Sequence, residues 1–415
     1  MTPAQQKVAG HPSAAVDAPV VPPVITEHLL ETAFLAIQRR KLLFASDLPL
    51  ISFPSHDERI AAHWDGLVVG ASASVDIALK RMEELDPWET YAAARVWIEL
   101  GLPSAVDVID RIEKTDPEIH GAWREALRRI PRQRIAQLFP ASSVPAGSNA
   151  VAAVVVYALG SHDLLPDNVA AAAAFNTDPP LRRSLARALG WSRSTTQAPA
   201  LLATLAADPD ADVRHAALWS IALTQPNAAA THARNRIRSG AADYFDLRVI
   251  GLLGVESDLN LLLPIASTAG ENRNACIGAL GALGSPLAVS TLIELAQLKD
   301  EATAPVALES LVNIVGQIPG TDAGTAAADD DEAPPPLDIP QLREWWASAS
   351  ASYPAGTRLL RGQPFPWSGA PEEEPMDALW RSLFHTQRPD FEWLRNEIPD
   401  GFFDVELRPD AVPGE

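Results

Sequence analysis

The chain has 415 residues, 47% of them hydrophobic, which is enough apolar material for a core over most of its length. A net charge of −20 argues against a general nucleic-acid binder, whose affinity rests on neutralising phosphates, and against docking on anionic lipid. A single cysteine, Cys276, excludes an intrachain disulfide and a thiolate-cluster metal site.

Residues 1–23 are polar and rich in Ala and Pro, and the expectation is a disordered tail. They lack the basic and long apolar regions of a secretory signal. The most apolar run of the chain, Ala150 to Gly160, is far short of the ~20 residues a spanning helix needs. The expected location is therefore cytoplasmic, with no membrane insertion. Residues 24–87 carry a helical pattern that is out of register with residues 88–316, and are predicted to form an N-terminal helical cap. In it, His56 and His63 lie seven apart, near Asp57, Glu58 and Asp65. That is not the His-x3-His spacing of a zinc helix, so a capped helix start with surface polar residues is the favoured reading and no metal is expected.

From residue 88 to 316 the chain repeats. Gly101, Pro131, Gly160, Gly190, Ala222, Gly254, Gly284 and Gly316 succeed one another at intervals of 29–32 residues, each ending an apolar stretch. The residues one, four, five and nine before each marker are apolar in all eight units, which is one stripe of a 3.6-residue helix. In the fifth unit, for example, they are Ile221, Leu218, Ala217 and Val213. The position three before is unrestricted and holds Arg128, Tyr157, Arg187 and Trp219 among others. Gly at the marker predicts a left-handed residue closing the helix, notably at Gly190, Gly254 and Gly284. A second helix is expected after each marker, clearest over Ser285 to Leu298, Gln197 to Ala206 and Asp258 to Ala266. Start signals agree: Asp178 and then Asp208 with Asp210 precede the stripes that open at Leu181 and Val213. Arg214, in the first turn after Asp210, is placed to pair with Asp210 or with its equivalent in a neighbouring repeat. Each unit is thus a pair of short antiparallel helices that can bury its stripe only by stacking on its neighbours.

An acidic, Pro-rich linker is predicted over 317–338, with Asp329, Asp330, Asp331 and Glu332 before three prolines. Residues 339–415 form a Trp-rich segment with short helices expected over Asp338 to Ser350 and Met376 to Phe384. Residues 317–415 hold 7 Arg and no Lys against 19 Asp plus Glu, so −12 of the net charge lies there.

Few residues invite chemistry. Cys276 sits on a repeat helix without a sequence-adjacent base, and packing is the favoured reading. No nucleophile elbow, phosphate loop or dinucleotide fingerprint occurs. Arg124, Arg128, Arg129, Arg132 and Arg134 form the one dense basic stretch. It suits either an acidic partner, including the chain's own linker, or a solvated helix face with local ion pairs, and the second is favoured. Trp345 and Trp346 suit either anchors for a partner or a cap on the last repeat, with capping favoured.

The motif Asp208-Pro-Asp-Ala-Asp-Val-Arg-His-Ala-Ala-Leu218 resembles the HEAT-like repeat signature, also seen in phycobilisome-lyase-type repeats. Three further segments are Glu27-His-Leu-Leu-Glu-Thr-Ala-Phe-Leu35, Asp57-Glu-Arg-Ile with Ala62-His-Trp-Asp-Gly-Leu67, and Arg343-Glu-Trp-Trp346. They are similar to a proteobacterial HEAT-repeat family of unknown biochemical function, often encoded beside type VI secretion genes. The resemblance implies an all-α solenoid of HEAT-like helical-hairpin repeats with a helical N-terminal cap and a partly disordered acidic C-terminal tail. It implies a non-catalytic, cofactor-free scaffold for a protein partner, an accessory or assembly factor of type VI secretion. The alternative is a lyase-like enzyme of the phycobilisome-lyase type.

Overall fold

The computed structural model describes residues 21–44, 53–84, 86–140, 147–298, 300, 302–316, 318–319, 338–353 and 356–364. The expectations for residues 1–20, for most of the linker, and for the tail with Met376 to Phe384 lie outside these residues. The described chain is an all-α solenoid with one minimal hairpin of sheet. No helix in it is long and apolar enough to cross a membrane.

Two long helices open it, α1 (Pro22–Phe44) and α2 (Phe53–Arg81). The second breaks at Ala71, where φ is 41°, so its C-terminal half turns toward the first repeat. Helix α3 (Pro87–Leu100) packs on both, and α4 (Ala105–Glu113) completes its hairpin. The array continues through α5 (His120–Arg129), α6 (Arg132–Leu138), α7 (Asn149–Ser161), α8 (Asp167–Ala174), α9 (Pro179–Trp191) and α10 (Ala198–Leu205). It runs on through α11 (Ala211–Thr224), α12 (Pro226–Arg238), α13 (Tyr244–Leu253), α14 (Leu259–Ser267), α15 (Arg273–Leu283), α16 (Val289–Ala296) and α17 (Thr303–Val315). The eight stripe helices end within two residues of the eight markers. All stripe residues are buried except Leu100, Leu253, Ala275 and Val312, which are half-buried.

Helix starts track the acidic residues. The Asp178, Asp210 and Asp243 carboxylates accept from the free N–H groups of Leu181, Val213 and Phe245. Asp208 has a different task from capping: Arg182 on α9 grips it through both oxygens, at 2.7 and 2.9 Å. A like fork joins Arg234 on α12 to Asp258, with both bonds at 2.8 Å. These bidentate pairs fix the turns of one hairpin to the helix before them. Arg214 donates to the carbonyls of Asp208 and Pro209 and lies 3.9 Å from Asp243, the cap of the next repeat, and not against Asp210.

The glycine markers need correction. Of the series, Gly284 is a left-handed cap with φ 69° and ψ 22°, and Gly316 closes its helix at positive φ, 78°, with ψ −131°. Gly101 and Gly254 have φ of −81° and −68°. Gly160 and Gly190 lie inside the last turn of their helices, and their role is close approach. A Cβ on Gly160 would stand 2.7 Å from the Cα of Ala188 on α9. One on Gly190 would stand 2.6 Å from the Oγ of Ser220 on α11. Gly251 against Ala279, and Gly281 against Ser310, repeat this at 2.9 and 2.8 Å from the Cα. Stacking brings the odd-numbered helices together backbone to backbone, and only a residue without a side chain fits there. The even-numbered helices touch one another sparingly. A stack spaced more tightly along one row curves toward it, so the odd-numbered helices line the inner face.

Beyond the linker the chain returns to the array. Helix α18 (Ile339–Ala349), capped by Asp338, lies on α16. Trp346 is buried and stacks on Tyr353 with ring centres 5.5 Å apart, while Trp345 is half-buried against the same core. Arg343 forks onto Glu294 of α16. A two-residue antiparallel pair, β1 (Leu359–Leu360) and β2 (Gln363–Pro364), then crosses the helix ends.

Candidate functional site

Helical periodicity puts the residues three and seven before each marker on one face, away from the buried stripe. On α5 these are Arg128 and Arg124, on α7 Tyr157 and Ala153, on α9 Arg187 and Arg183, and on α11 Trp219 and His215. On α13 Arg248 and Tyr244 take up the line one residue on. Contacts join them across the row. Arg124 donates to Ser184 of α9 at 3.2 Å, reaching past the small residues of α7. Arg183 lies 3.5 Å from Asp212 of α11, and His215 is 2.9 Å from Asp243 at the start of α13. His215 also stacks on Phe245, with centres 5.3 Å apart, and meets Tyr244 edge-on. The result is a row of half-buried side chains, Arg124, Arg128, Arg183, Arg187, His215, Tyr244 and Arg248, on the inner face of α5–α13, interrupted at α7, where Tyr157 and Ala153 are buried, and underlain by the buried Trp219. Further along the row the line of Arg248 passes through Gly278, which is exposed.

The dense basic stretch singled out in the sequence is not itself a surface patch. Arg128 and Arg129 both pair with Glu125, at 2.6 and 3.1 Å. Burial would depress the Arg128 pKa, but Glu125 more than offsets this and raises it. Arg132 donates to the carbonyls of His162 and Asp163, and Arg134 to those of Ile98 and Pro103. These arginines tie neighbouring repeats together, and of the four named as partner contacts, Arg124 and Arg128 share the inner band. Trp346 is buried and Trp345 half-buried against the core of the array. The part-exposed members of the band that sequence reading missed are Arg183, Arg187, His215, Tyr244 and Arg248. Of these, Arg187 occupies the unrestricted position three before the marker; the others lie one or two turns earlier on the helix.

One strongly charged knot sits in the band, between α11 and α13. Burial alone would raise the Asp243 pKa, yet the hydrogen bond from His215 holds it down at about 2. Burial and the nearby Asp243 charge raise that of Asp246, although Arg236 binds it at 2.7 Å. The knot joins two hairpins and closes the ends of α12 and α13.

His63 turns away from the arrangement a metal would need. Its Nδ1 faces the Nδ1 of His28 on α1 at 3.1 Å, while Asp57 is held by Arg39. Among the described residues there is no group of three His, Cys, Asp or Glu placed to hold a metal. Cys276 is buried, donates to the Leu262 carbonyl at 3.0 Å, and has its thiol pushed up to about 12 by burial, which favours the protonated thiol at neutral pH.

A cleft of about 880 Å³ opens at the other end of α9, lined by Trp191, Arg193, Thr196, Thr224 and Gln225 among others. Its hydroxyls serve the turns: Thr195 donates to the Leu165 carbonyl and Thr196 to Asp167.

No curated protein and no solved structure matches the chain. A family model described as HEAT repeats matches residues 141–222, the stretch that carries α7 to α11 and the heart of the inner band.

Proposed function

We propose that the chain is a non-catalytic scaffold that binds another protein along the inner face of α5–α13. The observation that carries this is the row from Arg124 to Arg248 on α5, α9, α11 and α13, whose half-buried members are arginines with His215 and Tyr244, and Arg and Tyr are among the types that dominate binding hot spots. Stacked repeats supply such an extended concave surface. Its chemistry suits an acidic segment with aromatic residues, since guanidinium groups take carboxylates and stack on rings. The likeness of the N-terminal helices and of Arg343-Glu-Trp-Trp346 to a family encoded beside type VI secretion genes supports an accessory or assembly role in that system.

A photo-crosslinking residue tests the binding face in the native host. Placed at Arg183 or Gly278 on the inner face, it should capture one defined protein. Placed at Thr204 on the outer helix α10, it should not. Equal capture from both faces would sink the assignment. Deleting the gene should impair type VI secretion, and secretion unchanged by deletion would remove the chain from that system.

A further inference from the structure

The chain carries a candidate occupant for this face. At least 51 residues follow Pro364, from 365 to 415, with twelve Asp plus Glu against four Arg and no Lys, a net −8. They also carry Trp367, Trp380 and Trp393 and five phenylalanines. This is the acidic, aromatic composition that a row of Arg124, Arg183, Arg187, Arg248, His215 and Tyr244 recognises. The starting point suits it as well. The hairpin β1–β2 is tied to the array: Leu359 N–H donates to the Gly284 carbonyl, Arg361 N–H to that of Asn313 and Gly362 N–H to that of Ile314. It therefore delivers the tail at the C-terminal end of α17, on the row that forms the inner face. Four inter-helix steps separate α17 from α9 along the row, roughly 32–40 Å at 8–10 Å per step. An extended tail spans up to about 3.3 Å per residue, several times that distance.

We propose that residues 365–415 dock on the inner face of their own chain, through carboxylates on the arginines and rings on His215 and Tyr244, and so occupy the surface a partner must take. This rests on the inner face being the binding surface. The tail is then a built-in competitor: a partner of like chemistry binds by displacing it, and its affinity is lowered by the fraction of chains with the tail seated.

Limited chymotrypsin digestion of the full chain tests this, read at the bonds after Trp380 and Trp393. A seated tail is cut more slowly than a synthetic peptide of residues 365–415, and molar salt removes the protection by screening the charges. Reversing Glu372, Glu373 and Glu374 to Lys leaves the array untouched and should speed cleavage by about tenfold, as should Arg187→Glu with Arg248→Glu. Combining the two sets should restore most of the protection, which a misfolded array could not do. Cleavage of the native chain at the peptide's rate overturns the proposal. So does protection that neither reversal changes, and so does protection lost on dilution, which would place the tail on a second copy. The crosslinking from Arg183 and Gly278 separates this from the binding-face assignment: capture of a partner with an undocked tail leaves that assignment standing. With a docked tail, the Glu372–Glu374 reversal should increase capture.

Discussion

Gly160 and Gly278 are both helical glycines, and Ala at the two positions should have opposite effects. At Gly160 the new methyl group would stand 2.7 Å from the Cα and 2.8 Å from the carbonyl oxygen of Ala188. Both are backbone atoms and cannot swing aside. Ordinary carbon contacts need about 3.5–4.0 Å, so α7 and α9 must part by about 1 Å over their shared face. Overpacking of this kind typically costs about 1–3 kcal/mol. Replacing Gly by Ala in a helix returns roughly 0.5–1 kcal/mol, and less in a last turn, so the net effect is destabilising. Gly278 lies exposed in the middle of α15, and a methyl group there meets nothing within 4 Å. Only the propensity gain remains, about 0.5–1 kcal/mol of stabilisation. Urea midpoints followed by circular dichroism compare the two variants. Hydrogen exchange locates the damage, because a repeat array can lose its single sharp transition. Gly160→Ala should loosen the amides of α7 and α9 first. If Gly160→Ala raises the midpoint as Gly278→Ala does, the helices are not in backbone contact and the close-packed row is wrong.

Leu218, 3% exposed on the stripe of α11, should cost about 2–5 kcal/mol when cut to Ala, against about 1–2 for Arg214→Ala, whose hydrogen bonds hold only the Asp208–Pro209 turn. Faster exchange from Leu218→Ala should stay within about residues 180–260; uniform acceleration along the array would point to a single core and not a solenoid. Arg358 donates to the carbonyls of Gly251 and Ala282, the open C-terminal ends of α13 and α15, and burial pushes its pKa down to about 10. Arg358→Met should cost about 1.5–3 kcal/mol and release the 356–364 strap, seen as faster exchange of the Leu359, Arg361 and Gly362 amides. The depressed pKa of Asp243 stabilises the fold above the ordinary carboxylate value, near 4, and that contribution is lost as pH falls through about 2. Asp243→Asn should therefore flatten the stability curve between those values, and an unchanged curve would mean the His215 contact does not form in solution. Cys276 should resist thiol reagents in the native protein at pH 8 and react once the chain is unfolded; prompt native labelling would contradict its burial.

The helices were legible because a stripe repeated at offsets of one, four, five and nine has one physical explanation, and its residues are indeed buried. The acidic starts were legible too, since a cap is a local interaction between neighbours in sequence. The role of the glycines was not. A left-handed cap and a backbone contact both demand Gly, and sequence spacing alone cannot separate them; only the partner helix, about 30 residues away, decides. The strap at 356–364 escaped for a related reason. It is held by main-chain hydrogen bonds and by one arginine on helix carbonyls, and neither leaves an apolar period. The inner band was hidden in the positions without a pattern. Arg187, His215 and Arg248 vary because the stripe does not constrain them, and that freedom is what lets a surface acquire specificity.

The glycine contacts also divide the array. Gly160 meets Ala188 and Gly190 meets Ser220, so α7, α9 and α11 form one close-packed block. Gly251 meets Ala279 and Gly281 meets Ser310, so α13, α15 and α17 form another, with the contact point nearly a turn nearer the helix starts. Between α11 and α13 no such contact holds the pair: Phe245 stands there, against Trp219 at 6.2 Å and stacked on His215, and these rings keep the two backbones apart. The joint is completed by His215, Arg214 and Arg236 around Asp243, all half-buried. Backbone-to-backbone packing resists any displacement, because no side chain can rotate to absorb it. Rings and partly hydrated ion pairs can slide and re-pair at small cost. Bending of the solenoid is therefore cheapest at α11–α13, within the band itself, where a change of angle would alter the spacing between Arg183 and Arg187 on one block and Arg248 on the other.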